Sequence, residues 1–180
     1  HSIRRRQRQM CIRDRIIRAG NGISHAEEID DNSEIFQIWF DPNLSKTLKI
    51  SPSYDDYKSN QFETYVYEKK LKKIIKGSSS PMKMDTENIL INEYKFDSGD
   101  HKIKINPDSI HSLFVICGSL TYNDSTIEKG TFIKVDDISE INFKVLESAK
   151  IFEIISPKEP SYKTYSCLLY TSPSPRDSDS

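Results

Sequence analysis

His25 and Glu27 are the side chains here whose types and spacing could hold a metal ion. On a β-strand alternate residues share a face, so His25 and Glu27 project together while Ala26 projects the other way. Their Cα atoms then stand ~7 Å apart. At that separation an imidazole nitrogen and a carboxylate oxygen can converge on one ion at roughly 2 Å each. An imidazole and a carboxylate with further positions open is the ligand type of non-haem iron oxygenases. Taken by spacing alone, such a pair is more often two polar residues on a solvated strand face. The other histidines, His1, His101 and His111, form no His-x-His pair with one another or with His25. Cys117 has no histidine beside it to lower its pKa and is expected to be a small buried hydrophobe. The sequence has no Gly-rich phosphate loop, no Gly-x-Ser-x-Gly elbow and no cysteine spacing suited to zinc.

The elements that must position these residues are strands. Ile16 to Ala19 is short and β-branched and ends at Gly20-Asn21-Gly22, a turn signal. Gly22 to Glu27 and Ile35 to Phe40 are predicted as two more strands, the latter closed by Asp41-Pro42. Asn43 to Asn60 reads as a long irregular connection or a sheet-edge segment. Strand character returns from Phe62 to Lys70, and the basic stretch Lys69 to Lys76 is expected to be a solvated strand or turn face. From Ile89 to Ile155 six strands are predicted: Ile89–Phe96, His101–Ile105, His111–Tyr122, Thr126–Val135, Ile141–Leu146 and Ile151–Ile155. Short turns at Ser98-Gly99-Asp100, Asn106-Pro107-Asp108, Asn123-Asp124 and Asp136-Asp137 separate them. Many short strands with almost no helical periodicity predict an all-β sandwich or jelly roll.

The chain has 180 residues, a formal net charge of -1, 36% hydrophobic and 29% charged residues. That is ordinary for one soluble globular unit or two small ones. The near-zero charge gives no basis for a nucleic-acid or membrane partner. No run approaches the ~20 apolar residues of a membrane-spanning helix. The basic N-terminus lacks the apolar stretch of a secretory signal. Cys11, Cys117 and Cys167 show no paired spacing, so a reduced, cytoplasmic compartment is expected. Both ends read as foreign: Arg6 to Arg15 and Cys167 to Ser178 resemble translated sequencing-adapter read-through, which leaves a natural segment from about Ile16 to Ser166.

Ile17-Arg18-Ala19-Gly20-Asn21-Gly22-Ile23-Ser24-His25-Ala26-Glu27 is similar to the second metal motif of the pirin family, a hydrophobic strand, then Ala-Gly-x-Gly, then His-x-Glu. Phe36-Gln37-Ile38-Trp39 with Asp41-Pro42 resembles the family's Gln-Ile-Trp strand, and Pro52-Ser53-Tyr54 followed by Gln61-Phe62 resembles its Pro-x-Tyr segment, in family order. The close match spans about Ile16 to Phe62, with a looser cupin-like pattern to about Pro157.

The resemblance implies a bicupin, two jelly-roll β-barrels side by side, here with the N-terminal barrel incomplete. The expected organisation is a non-native end at 1–15, the last part of the N-terminal cupin plus linker at 16–61, the second cupin barrel at 62–166 and a non-native tail at 167–180. It implies one metal, iron or another divalent ion, held in the first barrel by a His-x-His pair, a third His and a Glu. Carried over, His25 is that third histidine and Glu27 the carboxylate and possible base, while nothing here matches the His-x-His pair. The implied activity is that of a quercetin 2,3-dioxygenase acting on a flavonol-like small molecule. The alternative is a non-catalytic, metal-dependent regulator that binds a protein partner. With two of four ligands, this chain itself is expected to be inactive. In the second barrel Ile105 and Pro107 stand where His-x-His would be and His111 where the Glu would be. That barrel is therefore expected to be metal-free, with His111 structural or exposed. Trp39 and Phe36 are expected to pack in a core or line the barrel, and residues 1–14 and 168–180 to be irregular or poorly packed.

Overall fold

β-branched Ile16 and Ile17 favour extended backbone, and the glycines at 20 and 22 supply the positive φ that turns the chain out of it. The structure, a computed structural model, describes residues 2–3, 13–26, 28, 31 and 34–164. The chain divides into two units, His1–Ser59 with Met84–Glu87 and Pro160–Ser180, and Asn60–Lys83 with Asn88–Glu159.

In the first unit β1 (Ser2–Ile3) lies parallel to β3 (Ser24–His25), and β2 (Arg13–Arg18) lies antiparallel to β4 (Ser53–Lys58), with α1 (Leu44–Thr47) between β3 and β4 in the chain. Cross-strand charge pairs support the longer ladder: Arg15 Nε sits 2.6 Å from Asp56 Oδ1, and Arg18 pairs with Asp55. Elsewhere in this unit Glu87 gathers donors from Lys46 Nζ at 2.7 Å, from the Ser161 hydroxyl and from Asn43 Nδ2 at 3.5 Å. Lys46 first, then Ser161 and Asn43, holds the Glu87 carboxyl at about 2, against an ordinary 4.5. A depressed folded-state pKa contributes stability that is present above 4.5 and lost as pH falls toward 2. Solvent screening keeps the effect small. Thermal unfolding followed across that window should show a falling midpoint, and Glu87→Gln should flatten that segment of the curve.

The second unit is one antiparallel sheet. Its strands are β5 (Thr64–Val66), β6 (Lys70–Lys76), β7 (Leu90–Lys104), β8 (Ser109–Tyr122), β9 (Ser125–Glu128), β10 (Phe132–Val135) and β11 (Glu140–Pro157). Their order is β10-β8-β11-β7-β6-β5, with β9 paired to β8. In β7 the buried set runs through Tyr94 and Phe96, then switches parity to Ile103, and to Ile105 just past the strand's end. In β8 it runs through His111, Leu113 and Val115, then switches to Leu120. Gly99 (φ 137) and Gly118 (φ 74) sit at the two switches, and β11 carries a bulge between Val145 and Ser148 beside them. Three long strands thus turn one corner together, as bulges and strand glycines allow. Residues from both sides of the corner meet in one core of Tyr94, Phe96, Ile103, Leu113, Val115, Phe143, Val145 and Ile151 among others. Phe96 meets Phe143 edge-on with ring centroids 5.1 Å apart. The sheet folds over its own apolar face.

Several expectations need correction. Ile35 to Phe40 is not a strand, because no described strand pairs with it and an extended segment without a ladder is irregular chain. Ile89–Phe96 and His101–Ile105 are one strand, as are Ile141–Leu146 and Ile151–Ile155: the Gly99 corner and the β11 bulge bend the ladder without ending it. Gly22 to Glu27 is shorter as a strand, only Ser24–His25. Ser2, Ile3, Arg13 and Asp14, in an end expected to be irregular or poorly packed, are paired strand residues and so not irregular, while 168–180 lies outside the described residues. Among the described residues no helix is long and apolar enough to cross a membrane.

Candidate functional site

The Gly20 turn that precedes His25 is built against a second motif. Gly22 N–H donates to the Ala19 carbonyl at 2.8 Å and Asn21 N–H to the Ile50 carbonyl at 2.9 Å. Gly20 has φ +55, and a Cβ there would lie 2.3 Å from the Ile50 oxygen and 3.0 Å from Pro52 N. Ile17 pairs with Tyr54 across β2 and β4. The Ala-Gly-x-Gly turn and the Pro-x-Tyr segment therefore touch, and only a residue without a side chain fits between them.

His25 follows this turn on β3 and is solvent-exposed, as are Ser24 and Ala26. Glu27 lies outside the described residues. Among the described residues no three His, Cys, Asp or Glu side chains group to hold a metal. An imidazole and a carboxylate suit a divalent ion in kind, yet they fall short of the three or more protein ligands such a centre uses. Trp39 is 83% exposed and Phe36 is exposed as well, so neither takes the core position expected of it. Cys117 is also exposed rather than buried: it sits at the β8 corner beside Gly118, where the alternation that would have turned it inward changes phase.

A buried polar constellation that spacing alone did not reveal lies inside the second unit. His111 and Glu153 are each 1% exposed. His111 Nδ1 lies 2.8 Å from Glu153 Oε1, and the backbone N–H of Asn106 donates to His111 Nε2 at 2.9 Å. Since Nε2 accepts, Nδ1 must carry the proton and donate to Glu153, which fixes the tautomer. Asn92 Nδ2 and the Tyr94 hydroxyl donate to Glu153 Oε2 at 2.7 and 2.9 Å. Burial first, then the Glu153 carboxylate, pushes the Tyr94 phenol well up, so its hydroxyl remains a donor at ordinary pH. Three donors thus satisfy one buried carboxylate, and both imidazole nitrogens are engaged. In this arrangement His111 offers no lone pair to a metal or a proton donor, so the cluster acts as a structural tie joining β7, β8 and β11. A signal existed in the sequence: Glu153 interrupts the apolar run Ile151-Phe152-Glu153-Ile154-Ile155, and a lone charge in such a run is a buried, paired one.

The opposite face of the same strands carries a second buried group. Glu93 lies between Lys73 Nζ at 3.1 Å and Lys150 Nζ at 2.7 Å. Burial pushes its carboxyl up, but Lys150 and Lys73 together outweigh that and hold it below the ordinary value. The basic stretch of β6 is therefore not uniformly solvated, since Lys73 is buried and paired.

No protein-family model matches this sequence, and no curated protein matches it. Solved structures do. The quercetin 2,3-dioxygenase from Acinetobacter baumannii superposes with a TM-score of 0.53 at 13% identity, over 70% of this chain and 50% of that one. GK1651 from Geobacillus kaustophilus superposes with a TM-score of 0.51 at 15% identity, over 64% of this chain and 52% of that one. The chain spans about half the length of these two structures. At such identities the likeness is one of fold, and the fold is all-β, of the cupin class.

Proposed function

We propose that the chain is part of a pirin-like, metal-binding bicupin whose parent is a non-haem iron dioxygenase of the quercetin 2,3-dioxygenase type. The observation that carries this reading is the contact of two ordered motifs: the glycine turn ahead of His25-x-Glu27 packs on Ile50 to Pro52, ahead of Tyr54. The cupin-class fold of the chain supports it. His25 and Glu27 would be two of the ligands, and Glu27 also the candidate base. A metal held there would supply Lewis acidity and a template for a flavonol-like substrate and O₂.

A second reading, a non-catalytic metal-dependent regulator, draws on the exposed side chains of Ile35, Phe36 and Trp39, which give an apolar surface to a protein partner. Oxygen uptake with quercetin separates the two. The iron-loaded parent protein, carrying the sequence upstream of Ile16 with its own His-x-His, is expected to consume O₂ with quercetin. His25→Ala in that protein should cut the rate by roughly 100-fold or more, as loss of a ligand from a metal site does. Iron bound without any quercetin-dependent uptake would favour the regulator.

A further inference from the structure

The basic stretch of β6 is only partly accounted for by Glu93. Residues directly opposite each other in an antiparallel pair share a face. Lys70 stands opposite Phe96 and Lys72 opposite Tyr94, so both lysines lie on the face that carries the core aromatics. Tyr65 stands opposite Lys72, and Tyr67 N–H donates to the Lys70 carbonyl at 2.7 Å, which puts both tyrosines at the same end of that face. Lys70 Nζ lies 4.8 Å from the centre of the Tyr67 ring and Lys72 Nζ 5.7 Å from that of Tyr94. Lys73 and Lys150, by contrast, share Glu93, and Lys102 reaches Glu140 at 3.3 Å. Among the described residues no carboxylate pairs with Lys70 or Lys72, whose charges rest on the ring faces of Tyr67 and Tyr94.

Burial first, then the neighbouring charges of Lys72 and Lys102, holds the Lys70 ammonium below the ordinary lysine value. The Tyr65 hydroxyl is taken by Glu63 at 2.6 Å, but the Tyr65 and Tyr67 side chains remain exposed, at 42% and 52%. Two ammonium groups with no counter-ion among the described residues, beside accessible aromatic rings, match a ligand with one negative charge and one flat apolar face.

We infer that the inner face at the β5–β6 end of the second unit, formed by Tyr65, Tyr67, Lys70 and Lys72, binds a small aromatic carboxylate. Its carboxylate lies between Lys70 and Lys72 and its ring lies against Tyr67. The site belongs to the second unit.

The test is a titration of the full chain with benzoate, followed by NMR shifts of the tyrosine rings and by calorimetry. Saturable benzoate binding is expected, weakened about tenfold or more in a Lys70→Gln/Lys72→Gln double variant and unchanged in Lys144→Gln, whose lysine is exposed elsewhere in the sheet. Tyr67→Leu should weaken benzoate while leaving inorganic phosphate unaffected. Because Lys70 and Lys72 are partly exposed, the double variant should fold, and its melting curve checks that. No saturable binding, or benzoate affinity unchanged in the folded double variant, overturns the site. Phosphate binding as tightly as benzoate overturns the aromatic part of the assignment.

Discussion

Glu153→Ala should lower the stability of the second unit by about 3–5 kcal/mol, the range for removing one partner of a fully buried polar cluster. The substitution leaves the His111 Nδ1–H, the Asn92 amide and the Tyr94 hydroxyl without their shared acceptor in a site that is 1% exposed. It also leaves a cavity next to Ile151 and Leu113. For a unit of about this size the midpoint of thermal unfolding should fall by roughly 12 °C or more. Tyr94→Phe is the graded companion. It removes one donor and leaves the carboxylate with two, so a loss of about 1 kcal/mol is expected. Differential scanning calorimetry of the three proteins checks the ranking. Equal losses for the two variants would mean that Glu153 is not the hub of the cluster.

Gly118→Ala should be nearly as severe. The residue has φ +74, and an added Cβ would lie 1.9 Å from the Ser148 carbonyl oxygen and 2.9 Å from its carbon. Both neighbours are backbone of the β11 bulge, so relief requires that strand to move. Strain from the left-handed conformation costs of order 1–3 kcal/mol and the clash adds to it, giving a loss of about 3 kcal/mol or more. Gly130→Ala is the control: its φ is +87, but nothing lies within 4 Å of its added Cβ. It should show the conformational strain alone, a loss of about 1–2 kcal/mol. Urea unfolding of the two variants separates crowding from strain.

What the sequence made legible follows from these same forces. The strands between 90 and 157 announce themselves because β-branched and aromatic residues alternate with polar ones, and because Asn123-Asp124 adopts the positive φ values of a tight hairpin turn. Their continuity was hidden, because Gly99 and the bulge at Val145–Ser148 look like turn or break signals although the ladder runs through them. Phe36 to Phe40 has strand composition but no described partner, and pairing is a property of two segments that one segment cannot disclose. α1, four residues long, is too short to show a helical period. In the candidate sites the ordered motifs around Gly20 were readable. Of the cluster on Glu153 only the lone charge in an apolar run was readable, because its members, Asn92, Tyr94, His111 and Glu153, come from three strands that only the register brings together.

Cobalt(II) titration of the full chain tests most directly whether His25 and Glu27 are metal ligands. The visible absorption of Co(II) reports ligand type, and calorimetry reports affinity. A site with two ligands should bind a single ion weakly, with His25→Ala and Glu27→Ala each weakening it by about tenfold or more and His101→Ala leaving it unchanged. Binding that survives both substitutions, or that is lost with His101→Ala instead, would contradict the assignment.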